Sequence, residues 1–308
     1  MMELSELSKM NKNIWYILLF VIFFVIYYHI SAQKEGFENG NVDKIYAKIY
    51  NTVFEDENIY KLNAEKILAF IKNKIMKASN KNQNDSKNIK ILDAGCNVGR
   101  HYQHLSKYYP VVGIENSAEL LKYATIRNPA GKFIEKDLAD NTIFKPEEFT
   151  DIICLLDSFY HNDANKMNKI LENFYFWLKP NGNLYIHIFD RSTMDPAPRE
   201  YTQYYKDKNG IKHGLTYFNK FTHDAYWKEN DKDTMTYVET IVLEDGRKKI
   251  KETKLEIPAD KTKIINKIIK HGFKLIGIEQ LKGESGLDLY VFQKVPFTTS
   301  EGTERRTE

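Results

Sequence analysis

The stretch that most constrains this chain is Ile89-Lys90-Ile91-Leu92-Asp93-Ala94-Gly95-Cys96-Asn97-Val98-Gly99-Arg100, an apolar strand that ends in an acid and runs into a small-residue turn. Such a turn, opening a helix, lets backbone N–H groups approach a charged or polar ligand. Taken singly, it is also found in plain strand-to-helix connections and in dinucleotide sites. Here four further signals follow in order, each at the spacing of a β-α-β unit.

Val111-Val112-Gly113-Ile114-Glu115 reads as a second buried strand ending in a carboxylate, where the ribose of a nucleoside needs an acceptor for its hydroxyls. Asn116 or Ser117 caps the next helix, with Glu119 in its first turn. Phe133 to Leu138 is a third strand edge, and its Asp137 and Leu138 suit an adenine amino group and ring. Asp151 to Leu156 is a fourth strand, running into Asp157-Ser158-Phe159-Tyr160-His161. Met167, Ile170, Leu171, Phe174 and Leu178 then recur at helical spacing. Lys179-Pro180-Asn181-Gly182 turns the chain into a fifth strand, Leu184 to Phe189.

This ordered set resembles the class I S-adenosylmethionine-dependent methyltransferases. Asp93-x-Gly95-x-x-x-Gly99 is similar to the family's first motif, Glu115 stands at its ribose-binding acid, and Asp137-Leu138 resembles its adenine-binding pair. The middle glycine of the commonest first motif is Asn97 here. The resemblance implies an α/β fold, a Rossmann-like seven-stranded methyltransferase sheet, with S-adenosylmethionine as methyl donor. It implies cofactor contacts from Asp93, Gly95, Cys96, Gly99, Glu115, Asn116, Asp137, Leu138 and Asp157. A nicotinamide dehydrogenase is the rival α/β reading. The glycine spacing opposes it, because Asn97 fills the second place of G-x-G-x-x-G and a bulky residue the third.

The far end of the chain agrees. Asp260 caps a helix bearing Ile264, Ile265, Ile268 and Ile269, and Gly272 stops it. Phe273 to Leu281 and Leu287 to Lys294 then fit the antiparallel pair that closes such a sheet. Between the fifth strand and this helix, residues 191–258 form a β-rich insertion, a substrate cover. Tyr237 to Leu243 and Lys249 to Leu255 flank the hairpin turn Asp245-Gly246. Its aromatic residues Tyr201, Tyr204, Tyr205, Tyr217, Tyr226 and Trp227 suit a cationic or flat substrate, although packing of a small sheet accounts for most of them.

With 45 Lys and Arg against 42 Asp and Glu, the chain carries a formal charge of +3 and no strong nucleic-acid footprint. Its two cysteines, Cys96 and Cys154, form neither a disulfide framework nor a metal pattern. No metal is expected, and a reducing compartment is favoured. Residues 1–13 read as a tail and Ile14 to Ile30 as one transmembrane helix, at the short end of the roughly 17–25 residues that span a bilayer. A cleaved signal peptide ending near Ser31-Ala32 is the competing reading. Residues 31–41 are then a linker, 42–297 the methyltransferase domain and 298–308 a disordered tail. The flanking lysines set no orientation. The two thiols and the cytosolic origin of the methyl donor favour a single-pass membrane protein with its catalytic domain on the cytosolic side, so that the Asn84 sequon stays unmodified.

Ligands of an open α/β sheet sit beyond the carboxyl ends of its strands, which singles out the segment after the fourth strand. Asp157-Ser158-Phe159-Tyr160-His161 resembles the corresponding stretch of glycine and sarcosine N-methyltransferases, with Asp157 replacing an amide. His161 is titratable near neutrality and is the candidate proton acceptor, with bracing of the next helix as its alternative role. Tyr160 is a second catalytic candidate, and Tyr46, Tyr50 and Asp190 are substrate or lid candidates. Ile186 to Arg191 also resembles uncharacterised methyltransferases found partly in large DNA viruses. The expected function is a membrane-tethered methyltransferase for a small or medium acceptor, amines among the candidates. A protein or RNA methyltransferase and a non-catalytic cofactor-binding module are the alternatives. The oligomeric state is not legible.

Overall fold

The computed structural model describes residues 44–54, 57–78, 88–195, 201–280 and 287–296. The chain divides into two compact units, residues 1–47 and 48–308, and the fold below is that of the second. The apolar run at 14–30, the linker at 31–41, the Asn84 sequon and the tail at 298–308 lie outside the described residues. Among the described residues no helix is long and apolar enough to cross a membrane.

In chain order the elements are α1 (Lys44–Val53), α2 (Glu57–Ala78), β1 (Ile91–Ala94), α3 (Arg100–Leu105), β2 (Val111–Glu115), α4 (Ala118–Arg127), β3 (Lys132–Glu135), β4 (Phe149–Cys154), α5 (Ala164–Trp177) and β5 (Leu178–Phe189). The insertion supplies β6 (Gln203–Lys206), β7 (Lys212–Phe218), β8 (Phe221–Glu229), β9 (Met235–Leu243) and β10 (Lys248–Leu255). The chain then closes with α6 (Thr262–Lys270), β11 (Phe273–Gln280) and β12 (Leu287–Lys294).

The seven-stranded sheet has the order β11-β12-β5-β4-β1-β2-β3. Strands β1 to β5 are parallel, whereas β12 runs antiparallel to β5 and β11 antiparallel to β12. The central strands are apolar on both faces, as a parallel sheet between two helical layers requires. Leu92, Ile152, Leu184 and Ile186 join Met167, Ile170, Phe174 and Trp177 of α5 in one core. Their alternating neighbours Ile91, Ile153 and Tyr185 join Ile67 and Ile71 of α2 and Tyr102 of α3 in the other. Because β2 and β4 flank β1 on opposite sides, the strand order reverses at β1, and a crevice opens beyond the strand ends at such a switch point.

The residues expected to form a turn before the fifth strand, 179–182, are part of β5 itself, where Asn181 takes a φ of 60° and the register against β4 slips between Phe149 and Asp151. The insertion is a separate five-stranded antiparallel sheet, β10-β9-β8-β7-β6. Its β9–β10 hairpin, at one edge, turns at Gly246, φ 82°, as the Asp-Gly pair predicts. The edge strand β6 leaves no signal in the sequence, because all four of its residues are exposed and show no apolar alternation.

Candidate active site

The turn after β1 is held by its own backbone: Gly95 N–H and Cys96 N–H both donate to Ile114 O at 2.9 Å, and Gly99 N–H donates to Cys96 O at 2.9 Å. Three of its residues have left-handed backbone, Gly95 at φ 76°, Asn97 at 51° and Gly99 at 74°. Asparagine tolerates that conformation because its short side chain bonds locally, and Asn97 Oδ1 accepts from Val98 N–H at 2.8 Å. That explains why Asn97 replaces the usual glycine. At Gly95 a Cβ would come within 2.6 Å of Ser158 Cβ, so the glycine lets the loop after β4 close onto the turn, where Ser158 Oγ donates to Gly95 O at 3.2 Å.

Glu115 ends β2 and is bound by three backbone N–H groups. Its Oε2 accepts from Asn97 at 3.1 Å, and its Oε1 from Asn116 at 3.0 Å and Ser117 at 3.1 Å. Burial pushes its carboxyl up and these donors pull it back, with burial prevailing. Asp93 is more deeply buried, at 2% exposure, and its Oδ2 has no hydrogen-bond partner. Burial raises its carboxyl to about 7, against the Tyr102 N–H and with the Glu115 charge. An orphaned buried carboxylate oxygen is costly, and a cationic group beside it would offset that cost.

After β4 the chain turns sharply at Leu156, a non-glycine residue with φ 55°. Its N–H donates at 2.9 Å to Nδ1 of His187, a fully buried side chain on β5 whose imidazole burial pushes down to about 3. Asp157 and His161 follow, with His161 Nε2 3.1 Å from Asp157 Oδ2 and both side chains about two-fifths exposed. Burial pushes Asp157 up, but His161 outweighs it and holds the carboxyl low; burial pushes His161 down, but Asp157 outweighs it and holds the imidazole high. A cleft lies between this loop and the β1 turn, lined by Asp93, Gly95 to Val98, Leu155 to Ser158, and by Tyr50 and Tyr60 from the helices.

Of the residues singled out in the sequence, Asp93, Gly95, Cys96 and Asp157 line this cleft, with Glu115 joined to it through Asn97. Gly99 shapes the turn from outside, where a Cβ would meet Asn128 and Ala124. Asn116 gives its N–H to Glu115, and Ser117 is the helix cap, accepting from Leu120 N–H. Asp137 and Leu138 follow β3: Asp137 pairs with Lys166 at 2.6 Å and accepts from Ala139 N–H, and Leu138 packs on the core. Tyr50 lines the cleft, while Tyr46 belongs to the first unit.

Two candidates are corrected. Tyr160 is 1% exposed, and its hydroxyl donates to His187 O at 3.2 Å and accepts from Phe189 N–H at 3.3 Å, so it fastens the loop to β5 and does not face a substrate. Asp190 caps a short helical turn through Ser192 and pairs with Lys261 at 2.9 Å; the Ser192 hydroxyl, then Lys261, hold it at about 2. Both carboxylate oxygens are engaged in structure.

A polar group on the insertion has no counterpart among the sequence-based expectations. His223 Nε2 lies 3.1 Å from Glu239 Oε1, both almost fully buried, and Lys251 Nζ lies 3.8 Å from Glu239 Oε2. His223 meets the edge of Phe54 at 6.5 Å, and Phe54 packs on Tyr50 at 4.4 Å. The Lys251 charge acts on both Asp157 and His161. Register pairing across three strands brought these residues together, and no local motif announces it. Of the insertion aromatics, Trp227 packs on Phe189 and Tyr237, Tyr205 and Tyr226 enclose His213, and Tyr201 and Tyr217 are exposed. None of these lines the cleft.

The residues fit S-adenosylmethionine. Glu115 Oε2 would take ribose hydroxyls, Asp93 the ammonium of the methionyl part, and the glycine turn the chain between them. The lone Asp93 oxygen is the observation that carries this fit.

A family model described as a methyltransferase domain matches residues 63–231. The chain is 25% identical over 209 residues to phosphoethanolamine N-methyltransferase 3 of Arabidopsis thaliana, covering 67% of this chain and 42% of that protein. It is 27% identical over 187 residues to phosphoethanolamine N-methyltransferase of Plasmodium falciparum (isolate 3D7), covering 58% and 65%. The chain thus spans about two-fifths of that plant relative and about two-thirds of the other. An S-adenosylmethionine-dependent methyltransferase from Clostridium acetobutylicum ATCC 824 shares the fold at TM-score 0.58 and 18% identity, over 82% of this chain and 98% of that one. The amino pentose methyltransferase CalS10 of Micromonospora echinaspora does so at TM-score 0.57 and 17% identity, over 84% and 100%. With more than half its length matched by the family model, over strands β1 to β5 and the two loops that line the cleft, the chain belongs to the methyltransferase-domain family, among the class I S-adenosylmethionine-dependent methyltransferases.

Proposed function

We propose that the protein methylates the nitrogen of a small amine that carries an anionic group, the chemistry of the phosphoethanolamine for which its relatives are named. His161, held by the cleft-lining Asp157, carries this reading. When bound, S-adenosylmethionine supplies a methyl group on a sulfonium, open to in-line displacement by a lone pair. An amine arrives mainly as an ammonium and has no lone pair until a proton leaves. Asp157 holds His161 through Nε2, which leaves Nδ1 to take that proton. The raised affinity of His161 for a proton suits it to accept one near neutral pH. Positioning then provides most of the acceleration, for which ~7–11 kcal/mol is available in favourable cases.

Lys251 supports the anionic part of the reading, since its ammonium stands close enough to Asp157 and His161 to act on both. The test compares phosphoethanolamine with ethanolamine as acceptors for the wild type and Lys251→Ala. A preference for the phosphorylated amine that disappears in the variant supports the reading; equal use of both by the wild type contradicts the anionic group. We also propose that the run at 14–30 tethers the enzyme to a membrane with its catalytic domain in the cytosol, on the strength of its length and apolar composition.

A further inference from the structure

Asn51 stands next to Tyr50 on α1, and two guanidinium groups from the cofactor half grip it. Arg100 Nη2 donates to Asn51 O at 2.5 Å and to Asn51 Oδ1 at 3.2 Å, and Arg127 Nη2 donates to the same Oδ1 at 2.8 Å. Arg100 opens α3 directly after Gly99, is 2% exposed, and lies 5.1 Å from the centre of the Tyr60 ring. Arg127 closes α4, and its Nε donates to Val98 O at 3.2 Å, inside the turn. The next residue, Asn128, donates from Nδ2 to Gly99 O at 3.0 Å.

Val98, through Arg127, and Arg100 are therefore both tied to one residue of α1. Hydrogen bonds from a charged donor are stronger than neutral ones, and three of them converge here on the main-chain and side-chain oxygens of Asn51. The neighbouring Tyr50 lines the cleft with Tyr60, and its hydroxyl feels the charges of Asp157, Glu115 and Glu239. A displaced α1 would move Tyr50 relative to all of them.

We propose that Asn51 is a positioning residue through which the cofactor turn sets Tyr50 at the cleft. A ligand in the turn fixes Val98 and Arg100, these fix Asn51, and α1 is ordered. The coupling rests on the proposed function only in taking an S-adenosyl compound as the ligand of the turn. Because linkage is reciprocal, loosening Asn51 must weaken that ligand by the factor through which the ligand orders α1. A contact that merely packs α1 would give protection independent of the ligand.

Hydrogen exchange of the full chain, with and without S-adenosylhomocysteine, separates these cases in the wild type, Asn51→Ala and Asn51→Asp. In the wild type the ligand should slow exchange of residues 48–53 by about fivefold or more, within the usual range of couplings. In Asn51→Ala, which loses Oδ1 and keeps only the main-chain acceptor for Arg100, the ligand should still protect residues 111–117, bind more weakly, and protect 48–53 less by the same factor. Asn51→Asp, which keeps an acceptor for both guanidinium groups, should retain the protection. Ligand-dependent protection of 48–53 that is undiminished in Asn51→Ala overturns the coupling and leaves the cofactor site intact. Absence of protection at 111–117 in the wild type overturns the cofactor assignment, and the coupling with it.

Discussion

His161 Nε2 lies 3.1 Å from Asp157 Oδ2, four residues back along the loop that follows β4. The carboxylate holds the imidazole against the opposing effect of burial, so the proton affinity of His161 is raised. A base works only when unprotonated, so kcat should rise with pH through a value above the ordinary 6.5 of histidine. In Asp157→Asn that acidic limb should move down. His161→Ala should lose about 10²–10⁴ in kcat and the limb itself, with cofactor affinity nearly unchanged.

The same pair contributes little to stability. Asp157 is held low and contributes above its unfolded value, with loss as pH falls through the folded one; His161 is held high and contributes below its unfolded value, with loss as pH rises through the folded one. Both side chains are about two-fifths exposed, which limits the pair to about 0.2–1 kcal/mol. A large fall in Tm of His161→Ala with unchanged turnover would make its role that of a brace.

Asp93 separates binding from stability in the opposite direction. Its folded carboxyl is raised to about 7, so the folded state holds the proton longer than the unfolded one. Without ligand, stability should fall as pH rises from about 4 toward 7, with a slope of about 1.4 kcal/mol per pH unit. Asn at this position removes the charge, so Asp93→Asn should melt higher than the wild type at pH 8 and bind S-adenosylmethionine more weakly. Thermal melts at pH 5 and 8, with and without ligand, check both signs. A variant that melts lower at pH 8 yet binds normally contradicts the role given to Asp93.

Gly95 offers a two-part test. Alanine there meets a left-handed backbone costing roughly 1–2 kcal/mol and a clash with Ser158 Cβ. Gly95→Ala should be destabilised and bind S-adenosylmethionine weakly, and adding Ser158→Gly should relieve the clash but not the backbone strain. A double-mutant cycle with no coupling between the two positions would show that Ser158 is not what excludes a side chain at Gly95.

Much of this site was legible because it is local. The acid, the turn and the next strand's carboxylate follow one another at β-α-β spacing, and Asp93, Gly95 and Glu115 meet at the strand ends where the sheet order reverses. What was missed depends on contacts distant along the chain: Asn51 with Arg100 and Arg127, His223 with Glu239. Tyr160 misled because periodicity does not say whether a loop tyrosine points to the cleft or the core. Its hydroxyl found the backbone of β5, as a buried polar group must find some partner. Asp190 misled similarly, since an acid after a strand caps a turn as readily as it binds a ligand.

The apolar run at 14–30 should keep the full-length protein in membranes through a carbonate wash, and removal of residues 1–32 should release the domain in folded form. Protease added to sealed microsomes should digest the domain. Mature protein beginning near Gln33 would instead mark a signal peptide, and a protected domain carrying glycan at Asn84 would place it on the other side.

Label transfer from methyl-labelled S-adenosylmethionine, offered to the purified full chain with phosphoethanolamine, a peptide pool and an RNA pool in one reaction, tests the central claim most directly. The expected result is label on the amine nitrogen, nearly absent with His161→Ala and reduced with Asp93→Asn. Label in the peptide or RNA pool with none on the amine would contradict it, as would binding of the donor without transfer to any acceptor.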